Sequence, residues 1–562
     1  MAINELAGKP LPRSRLVTFN QMLNAYYLRQ NKKYSPIKNG TSGYRGLTGF
    51  DESKNEITFS EPQVACMTQA LADIIKERGT FGPDLSPEIR RKLGVKEGSR
   101  VNTIVIGKDV RFTSDFAQKT VAEVFAANGF TVIIQEKDRS TPTPVISHYI
   151  LKKNKMGGNI EGVIATASHN PPEEGGVKSN GLNGGPNTRT GPIDEKANYY
   201  MEKDNYSQVK QIRYEEAVFQ RMITEKDLIT PYVKDLGSVV DMEAIKDGGL
   251  FVAAPLGGSA SGIYEMINKE YNTNIFVPSP EPDPTGAKRT CDHDGKLRGD
   301  PSSKPVMKAL KGIREKLNAG AVFANDNDAD RFGAEDSTGI LSPNQILCVV
   351  FDYLCSHRRF SPGMGIGRSI ATTHMLDAIA SFYKRPVYEV NVGFKYYVDG
   401  LLEGKYVLAG EESGGLSLPR MDGSVWVTEK DGIAANLLMM EIIAKTGIDI
   451  GTLYGNLVQI YGAYQFERVD SPATTETKAR LAALAANEGE VKRILEGKRI
   501  AGKSIKSLKI GDGIKVVLEG GIWVLFRASG TEAKTKVYKE ECGQSLETAT
   551  EAAKQLGHYL GL

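Results

Sequence analysis

Cysteine is scarce and scattered: Cys66, Cys291, Cys348, Cys355 and Cys542 are odd in number and form no C-x-x-C pair. That excludes a disulfide framework and a zinc site, and it fits a reducing compartment. No apolar stretch approaches the ~20 residues that a membrane span needs. The opening "MAINELAGKPLPRSR" lacks a basic segment followed by an apolar one, so the chain reads as cytoplasmic, without a membrane partner. An excess of one charge is missing too. The 71 basic and 68 acidic residues leave a net charge of +3, and basic clusters such as "IRRK" (89–92) are broken by apolar residues. A nucleic-acid groove is therefore unsupported. No fixed period repeats, which excludes a solenoid. There is no G-x-S-x-G elbow around Ser168. The glycine-rich "PLGGSASG" (255–262) matches neither G-x-G-x-x-G nor Walker A, and reads as a helix start.

What is present is length and alternation. A chain of 562 residues exceeds one core and suggests roughly four domains at ~150 residues each. "NTIVIG" (102–107) reads as a buried strand. "SDFAQKTVAEVFAANG" (114–129) follows as a helix, with Phe116, Val121, Val124 and Phe125 on one face and Gly129 as its stop; "FTVIIQ" (130–135) is the next strand. This βαβ unit implies a parallel sheet with helices on its faces. The pattern recurs at 250–272, at 319–326 and from "GIGRSIATTHM" to "KYVLAGEES". The end differs: 514–540 reads as neighbouring strands around a polar loop and 545–560 as an amphipathic helix, a smaller α+β domain. The expected domains are 1–210, 211–338, 339–450 and 451–562.

In open α/β sheets ligands bind outside the carboxyl ends of strands, and four strands here end in unusually polar loops. In "GVIATASHNPPEEGG" (162–176) the strand delivers Ser168 to its tip, and Pro171 and Pro172 forbid a regular continuation. Adjacent residues of an extended chain point to opposite faces, so Ser168 and His169 are not a nucleophile–base pair. In "FANDNDADRFG" (323–333), Asp326, Asp328 and Asp330 alternate directly after a strand. Three carboxylates that close repel unless a cation neutralises them, and hard oxygen ligands suit Mg²⁺. An EF-hand is excluded, because its sixth position is Arg331 instead of glycine and its twelfth Ser337 instead of glutamate. In "LAGEESGGLSL" (408–418) two carboxylates and a serine suit hydrogen bonding to hydroxyls. In "FRASGTEAK" (526–534), Arg527, Ser529, Thr531 and the amide of Gly530 form a donor cluster with few competing acids nearby, the composition of a phosphate cradle. A capped turn is the plain alternative for the serine and GEES loops, and a solvated acidic turn for the aspartates.

Taken in order, the strand-tip serine, the D-x-D-x-D loop, the GEES loop and the R-x-SGT loop resemble the α-D-phosphohexomutases. "TASHNPP", the D-x-D-x-D-R run, "GEESGG" and "GTSGYRG" (40–46) are similar to the bacterial phosphoglucomutase branch of that family. The resemblance implies a heart-shaped, four-domain architecture, three similar α/β domains plus a smaller C-terminal α+β domain around a central cleft, as a monomer or homodimer. It implies sugar phosphates as substrates, with glucose 1-phosphate and glucose 6-phosphate interconverted through a phosphoserine and glucose 1,6-bisphosphate.

By position, the resemblance makes Ser168 the carrier of the phosphoryl group, with Asp326, Asp328 and Asp330 holding Mg²⁺ together with an oxygen of the phosphorylated serine. Arg45 would contact the phosphoserine. Arg331 and Lys178 would lie beside the reacting phosphate, Lys178 as a proton carrier, with His169 and Asn170 close by. Glu411 and Ser413 would read sugar hydroxyls, and Arg527, Ser529, Gly530 and Thr531 would grip the non-reacting phosphate. Relatives that also use mannose phosphate carry histidine where this chain has Gly415. The glucose-specific branch instead has a lysine in "EKDG", here Lys430, which makes Lys430 the second acid–base candidate and a substrate contact. A lysine acts as a base only where burial or nearby cations lower its pKa. The rival readings are a phosphomannomutase or dual-specificity mutase, a phosphatase with Asp326 as nucleophile, and a sugar-phosphate-binding protein without turnover.

Overall fold

Along "NTIVIG", Val105 faces one apolar core while Ile104 and Ile106 face another. Successive side chains of a strand point to opposite faces, so a run apolar at every position needs cover on both sides. The computed structural model describes residues 3–29, 33–40, 42–203, 206–310, 312–528 and 534–562. Its fold is α/β, built on four main sheets in chain order.

The first sheet runs Tyr44–Leu47, Glu174–Asn180, Ile160–Ala165, Thr103–Lys108, Thr131–Gln135, Ile223–Lys226. The second runs Ile275–Phe276, Phe251–Ala254, Val322–Asn325, Phe332–Asp336, Gly339–Ile340, and the third Val387–Val390, Gly365–Ser369, Tyr406–Glu411, Gly415–Ser417. All three share one device. A central parallel strand ends, the chain turns, and an antiparallel strand returns beside it: Ile160–Ala165 with Glu174–Asn180, Val322–Asn325 with Phe332–Asp336, and Tyr406–Glu411 with Gly415–Ser417. The turns between these pairs are the serine, aspartate and GEES loops.

Strand Ile223–Lys226 completes the first sheet beside Thr131–Gln135, so that sheet does not end at 210 as expected. The strand is short and mostly polar, with only Ile223 buried, which is why its pattern is weak in sequence. Helix Ile450–Tyr461 packs on helix Pro343–His357, so the packing of the third unit also continues past 450.

Helix Gly432–Thr446 is apolar nearly all round, with Ile433, Leu437, Leu438, Met439, Met440 and Ile442 fully buried. Such a helix belongs inside. It follows the third sheet in sequence yet packs against strands Val322–Asn325 and Phe332–Asp336 of the second. Each of those side chains contributes about 1.5–3 kcal/mol by leaving water.

The fourth sheet is antiparallel: Tyr464–Pro472, Lys534–Cys542, Trp523–Ala528, Ile514–Leu518, Ile505–Ile510. Val524 and Phe526 face helices Thr475–Ala485 and Glu547–Leu560, while Trp523 and Leu525 face Ile370 and Ala371 of the third unit. Among the described residues no helix is long and apolar enough to cross a membrane.

Candidate active site

After Ala165 the chain turns sharply, with the Asn170 N–H donating to the Ala167 carbonyl at 3.2 Å. Ser168 sits at φ +55°, in the left-handed region, where the strand-tip reading expected extended chain. The proline rule explains the difference: it constrains Asn170, which precedes Pro171, and leaves Ser168 free to turn. Ser168 is 1% exposed and its Oγ donates to Asp326 Oδ2 at 3.2 Å. His169 goes elsewhere. Its Nε2 lies 4.0 Å from Asp300 Oδ2, and burial, reinforced by Arg331 and Arg45, holds its pKa well below the usual range. The Asn170 side chain turns back to Glu174 Oε2 at 2.8 Å.

Asp326, Asp328 and Asp330 are fully buried and bring carboxylate oxygens within 4.8 Å of one another. Asp326 Oδ1 accepts the Arg331 N–H at 3.1 Å. Asp328 Oδ2 accepts Thr143 Oγ1 at 2.8 Å and Lys178 Nζ at 2.5 Å; Asp330 Oδ2 accepts Lys178 Nζ at 3.0 Å and Lys430 Nζ at 2.7 Å. The remaining oxygens, Asp328 Oδ1 and Asp330 Oδ1, are buried with no hydrogen-bond partner among the described residues. Buried carboxylates without donors are costly, and this set fits a hard divalent cation. Burial, with repulsion from Asp328 and Asp330, pushes the Asp326 pKa well up.

Lys178, on Glu174–Asn180, is also buried. Burial lowers its pKa, but the charges of Asp328, Asp330 and Glu429 override this and leave it above the usual lysine range. The expectation that a lysine base has a lowered pKa is not met there; Lys178 is held as an ammonium. Arg45 lies on the neighbouring strand, opposite Gly176, and bonds the Ser42 carbonyl at 3.1 Å. Burial pulls its pKa down, against the pull of Asp328. Arg331 pairs with Asp300 through Nη1 at 3.0 Å, and its Nε is buried without an acceptor among the described residues.

Glu411 ends the third sheet's strand Tyr406–Glu411, its Oε1 accepting the Gly393 N–H at 2.8 Å and its Oε2 the Ser413 hydroxyl at 3.2 Å. Burial, then Glu412, raises its pKa. Arg527 is nine-tenths buried and pairs with Asp512 Oδ2 at 2.7 Å. The sequence showed few acids near it, but hairpin pairing of Ile514–Leu518 with Trp523–Ala528 brings Asp512 alongside. Ser529, Gly530 and Thr531 lie outside the described residues.

Ser168, Asp326, Asp328, Asp330, Lys178, Lys430 and Arg331 therefore form one connected group. Glu411–Ser413 and Arg527 stand on the third and fourth units, with no hydrogen bond or ion pair to that group among the described residues. Sequence reasoning missed Thr143, Asn327, Asp300, Asp109 and Arg111. Asn327 Nδ2 donates to the Ser168 carbonyl at 2.6 Å and Arg111 Nη2 to the same oxygen at 2.6 Å. A signal for the last pair existed: "GKDVRF" also follows an apolar strand. The glycine loop 255–262 has a packing task, since a β-carbon at Gly258 would stand 2.7 Å from the Asp326 carbonyl.

Two family models match the chain: Phosphoglucomutase/phosphomannomutase, alpha/beta/alpha domain I over residues 36–195, and alpha/beta/alpha domain III over 342–461. A phosphoglucomutase of Komagataeibacter xylinus is 37% identical over 558 residues, spanning 96% of this chain and 94% of the relative. The chain belongs to the phosphoglucomutase/phosphomannomutase family. A cytoplasmic phosphoglucomutase of Mesembryanthemum crystallinum is 26% identical, across 94% of both chains. The family fold recurs in the open form of the Paramecium phosphoglucomutase pp63/parafusin, with TM-score 0.69 and 20% identity over 95% of this chain and 97% of that one. A family protein of Burkholderia thailandensis matches with TM-score 0.66 and 16% identity, over 93% and 97%.

Proposed function

We propose that this chain is a phosphoglucomutase, interconverting α-D-glucose 1-phosphate and glucose 6-phosphate, with Ser168 lending and reclaiming the phosphoryl group. One observation carries the reading. The Ser168 hydroxyl bonds Asp326 inside a buried set where, among the described residues, two carboxylate oxygens lack donors and the Arg331 Nε lacks an acceptor. The first feature suits a cation and the second an anion, the pair that a phosphoserine–metal site requires.

Asp326, Asp328 and Asp330 would hold Mg²⁺, which when bound neutralises charge on the phosphoryl oxygens. Phosphoryl transfer otherwise asks mainly for positioning and charge stabilisation, which Arg45 and Arg331 supply. A sugar hydroxyl attacks the phosphoserine phosphorus, and Lys430, entering this step as the free amine, takes its proton. The Ser168 O–P bond breaks, and Lys178 protonates the departing oxygen. The product, glucose 1,6-bisphosphate, turns end for end and returns its other phosphate to Ser168, with the proton transfers reversed. Turning the sugar roughly exchanges its 3- and 4-hydroxyls, so Glu411 and Ser413 serve both orientations. Arg527, with Ser529, Gly530 and Thr531, grips the phosphate that does not react. The five cysteines stand as free thiols, in keeping with a cytoplasmic setting.

The test follows conversion of glucose 1-phosphate with Mg²⁺ and catalytic glucose 1,6-bisphosphate, with mannose 1-phosphate as competitor. Ser168→Ala abolishes turnover, and protein-bound phosphate maps to Ser168 and resists hydroxylamine. Equal rates in the alanine variant, or a hydroxylamine-labile phosphate on Asp326, refute the reading.

A further inference from the structure

We propose that the buried Asp109–Arg111 pair positions Ser168, holding it in the left-handed turn that aims its hydroxyl at Asp326; the inference rests on the Ser168 reading above. Strand Thr103–Lys108 lies parallel to Ile160–Ala165, with Lys108 opposite Ala165, and the Asp109 N–H donates to the Ala165 carbonyl at 3.0 Å. The segment "DVR" therefore sits directly behind the serine turn. Asp109 is 0% and Arg111 2% exposed, and the two are ion-paired.

Both peptide groups that flank the Ser168 Cα lead to this pair. On one side the Ser168 N–H donates to Thr166 Oγ1 at 2.8 Å, and Thr166 Oγ1 donates to Asp109 Oδ2 at 2.7 Å. On the other, the Ser168 carbonyl accepts Arg111 Nη2 at 2.6 Å, and the same nitrogen bonds the Asn170 carbonyl. The other Asp109 oxygen is fixed by the Arg111 N–H at 3.0 Å and the Ser114 hydroxyl at 2.6 Å. A non-glycine residue at φ +55° persists only where its surroundings over-determine it. Here one ion pair reaches the peptide planes before and after the serine, joined on the Ser168 carbonyl by Asn327 Nδ2 at 2.6 Å. Among the described residues Arg111 and Thr166 make no hydrogen bond or ion pair with the aspartate triad or the sugar loop, so they act through Ser168 as positioning residues.

The test uses the full chain with Thr166→Val, Thr166→Ser and Arg111→Lys. Valine matches threonine in shape but cannot accept the Ser168 amide, serine restores the acceptor, and lysine keeps the charge but has one nitrogen in place of the two with which the guanidinium holds Asp109 and the carbonyls. Displacing a reacting atom by about 1 Å costs on the order of a hundredfold. Thr166→Val and Arg111→Lys should therefore lower kcat about 10- to 100-fold, with KM for glucose 1-phosphate within about twofold. Thr166→Ser should recover most of that rate. A crystal structure of Thr166→Val should show Ser168 out of the left-handed region and its Oγ withdrawn from Asp326. Unchanged kcat, or Val and Ser variants that behave alike, overturns the proposal. Should Arg111→Lys fail to fold, the threonine pair decides. Should wild type turn over without need of Ser168, the mutase reading fails separately, and the Ser168 backbone in Thr166→Val still decides the positioning claim.

Discussion

A β-carbon at Gly415 would stand 2.3 Å from Cδ of Lys430. The bare backbone of the returning strand Gly415–Ser417 is the shelf along which the lysine reaches Asp330. Gly415→Ala should therefore push Lys430 off that contact while costing little packing, because the displaced group is a flexible stem. We expect kcat to fall about 10- to 100-fold with the unfolding temperature nearly unchanged. Steady-state kinetics beside a thermal melt would show it; a variant as active as wild type would mean that Lys430 has no part in turnover.

The donor-free oxygens of Asp328 and Asp330 predict a linkage between Mg²⁺ and stability. At a hundred times its Kd, Mg²⁺ should stabilise the folded chain by about 2.7 kcal/mol. Asp328→Asn and Asp330→Asn should remove most of that gain. Heat unfolding after chelation and after Mg²⁺ return measures it, and an equal gain in the asparagine variants would place the ion elsewhere.

On the proposed reading Glu411 and Ser413 would contact hydroxyls that glucose and mannose share. Glu411→Gln should lower kcat/KM for both sugar phosphates by a similar factor, about 10- to 100-fold for a charge-assisted hydrogen bond. Competition kinetics with the two 1-phosphates gives the ratio directly. A change in that ratio would show that this loop also senses C2.

Glu389 joins the third and fourth units, accepting Arg368 Nη1 at 2.6 Å, Lys509 Nζ at 2.8 Å and Lys515 Nζ at 3.2 Å. Burial opposes its charge, but Lys515 and Arg368 outweigh it and hold its pKa well below the usual 4.5. A depressed pKa contributes stability that is fully present above the unfolded value and is lost as pH falls through the folded one. The contribution at neutral pH is on the order of 2 kcal/mol. Melting temperatures of wild type and Glu389→Gln should differ at pH 7, and the gap should begin to shrink below about pH 4.5 and close only in strong acid; a constant gap would remove Glu389 from the acid response.

Much of the molecule was legible because its signals are local. "NTIVIG", "FTVIIQ" and "AGAVFAND" announce buried strands by unbroken apolar runs, and the structure has Thr103–Lys108, Thr131–Gln135 and Val322–Asn325 there. Asp326, Asp328 and Asp330 were visible as a group because alternation after a strand places them on one short loop. Thr143 and Asp300 escaped because each meets its partner across a long stretch of chain: Thr143 and Asp328 are 185 residues apart, and Asp300 and Arg331 are 31 apart. Asp109 escaped because its link to the serine turn runs to Thr166, 57 residues on. The left-handed Ser168 was hidden for another reason. On the positioning proposal its conformation is held by Asp109 and Arg111 behind the loop, acting partly through Thr166, and the threonine of "TASHNPP" does not announce that role by itself. Asp512 beside Arg527 came from hairpin register, which apolar periodicity does not fix.

Helix Gly432–Thr446 begins one residue after Asp431, whose carboxylate caps it through the Ile433 and Ala434 amides and also holds Tyr232 and Trp426. Lys430 is thereby anchored by a cylinder whose apolar surface is seated on the neighbouring unit. Evolutionary or engineered shuffling of sugar specificity thus cannot treat the third unit as a cassette cut at its sheet edges. A transplant would have to carry this helix together with the strands it covers, or arrive with its lysine unmoored.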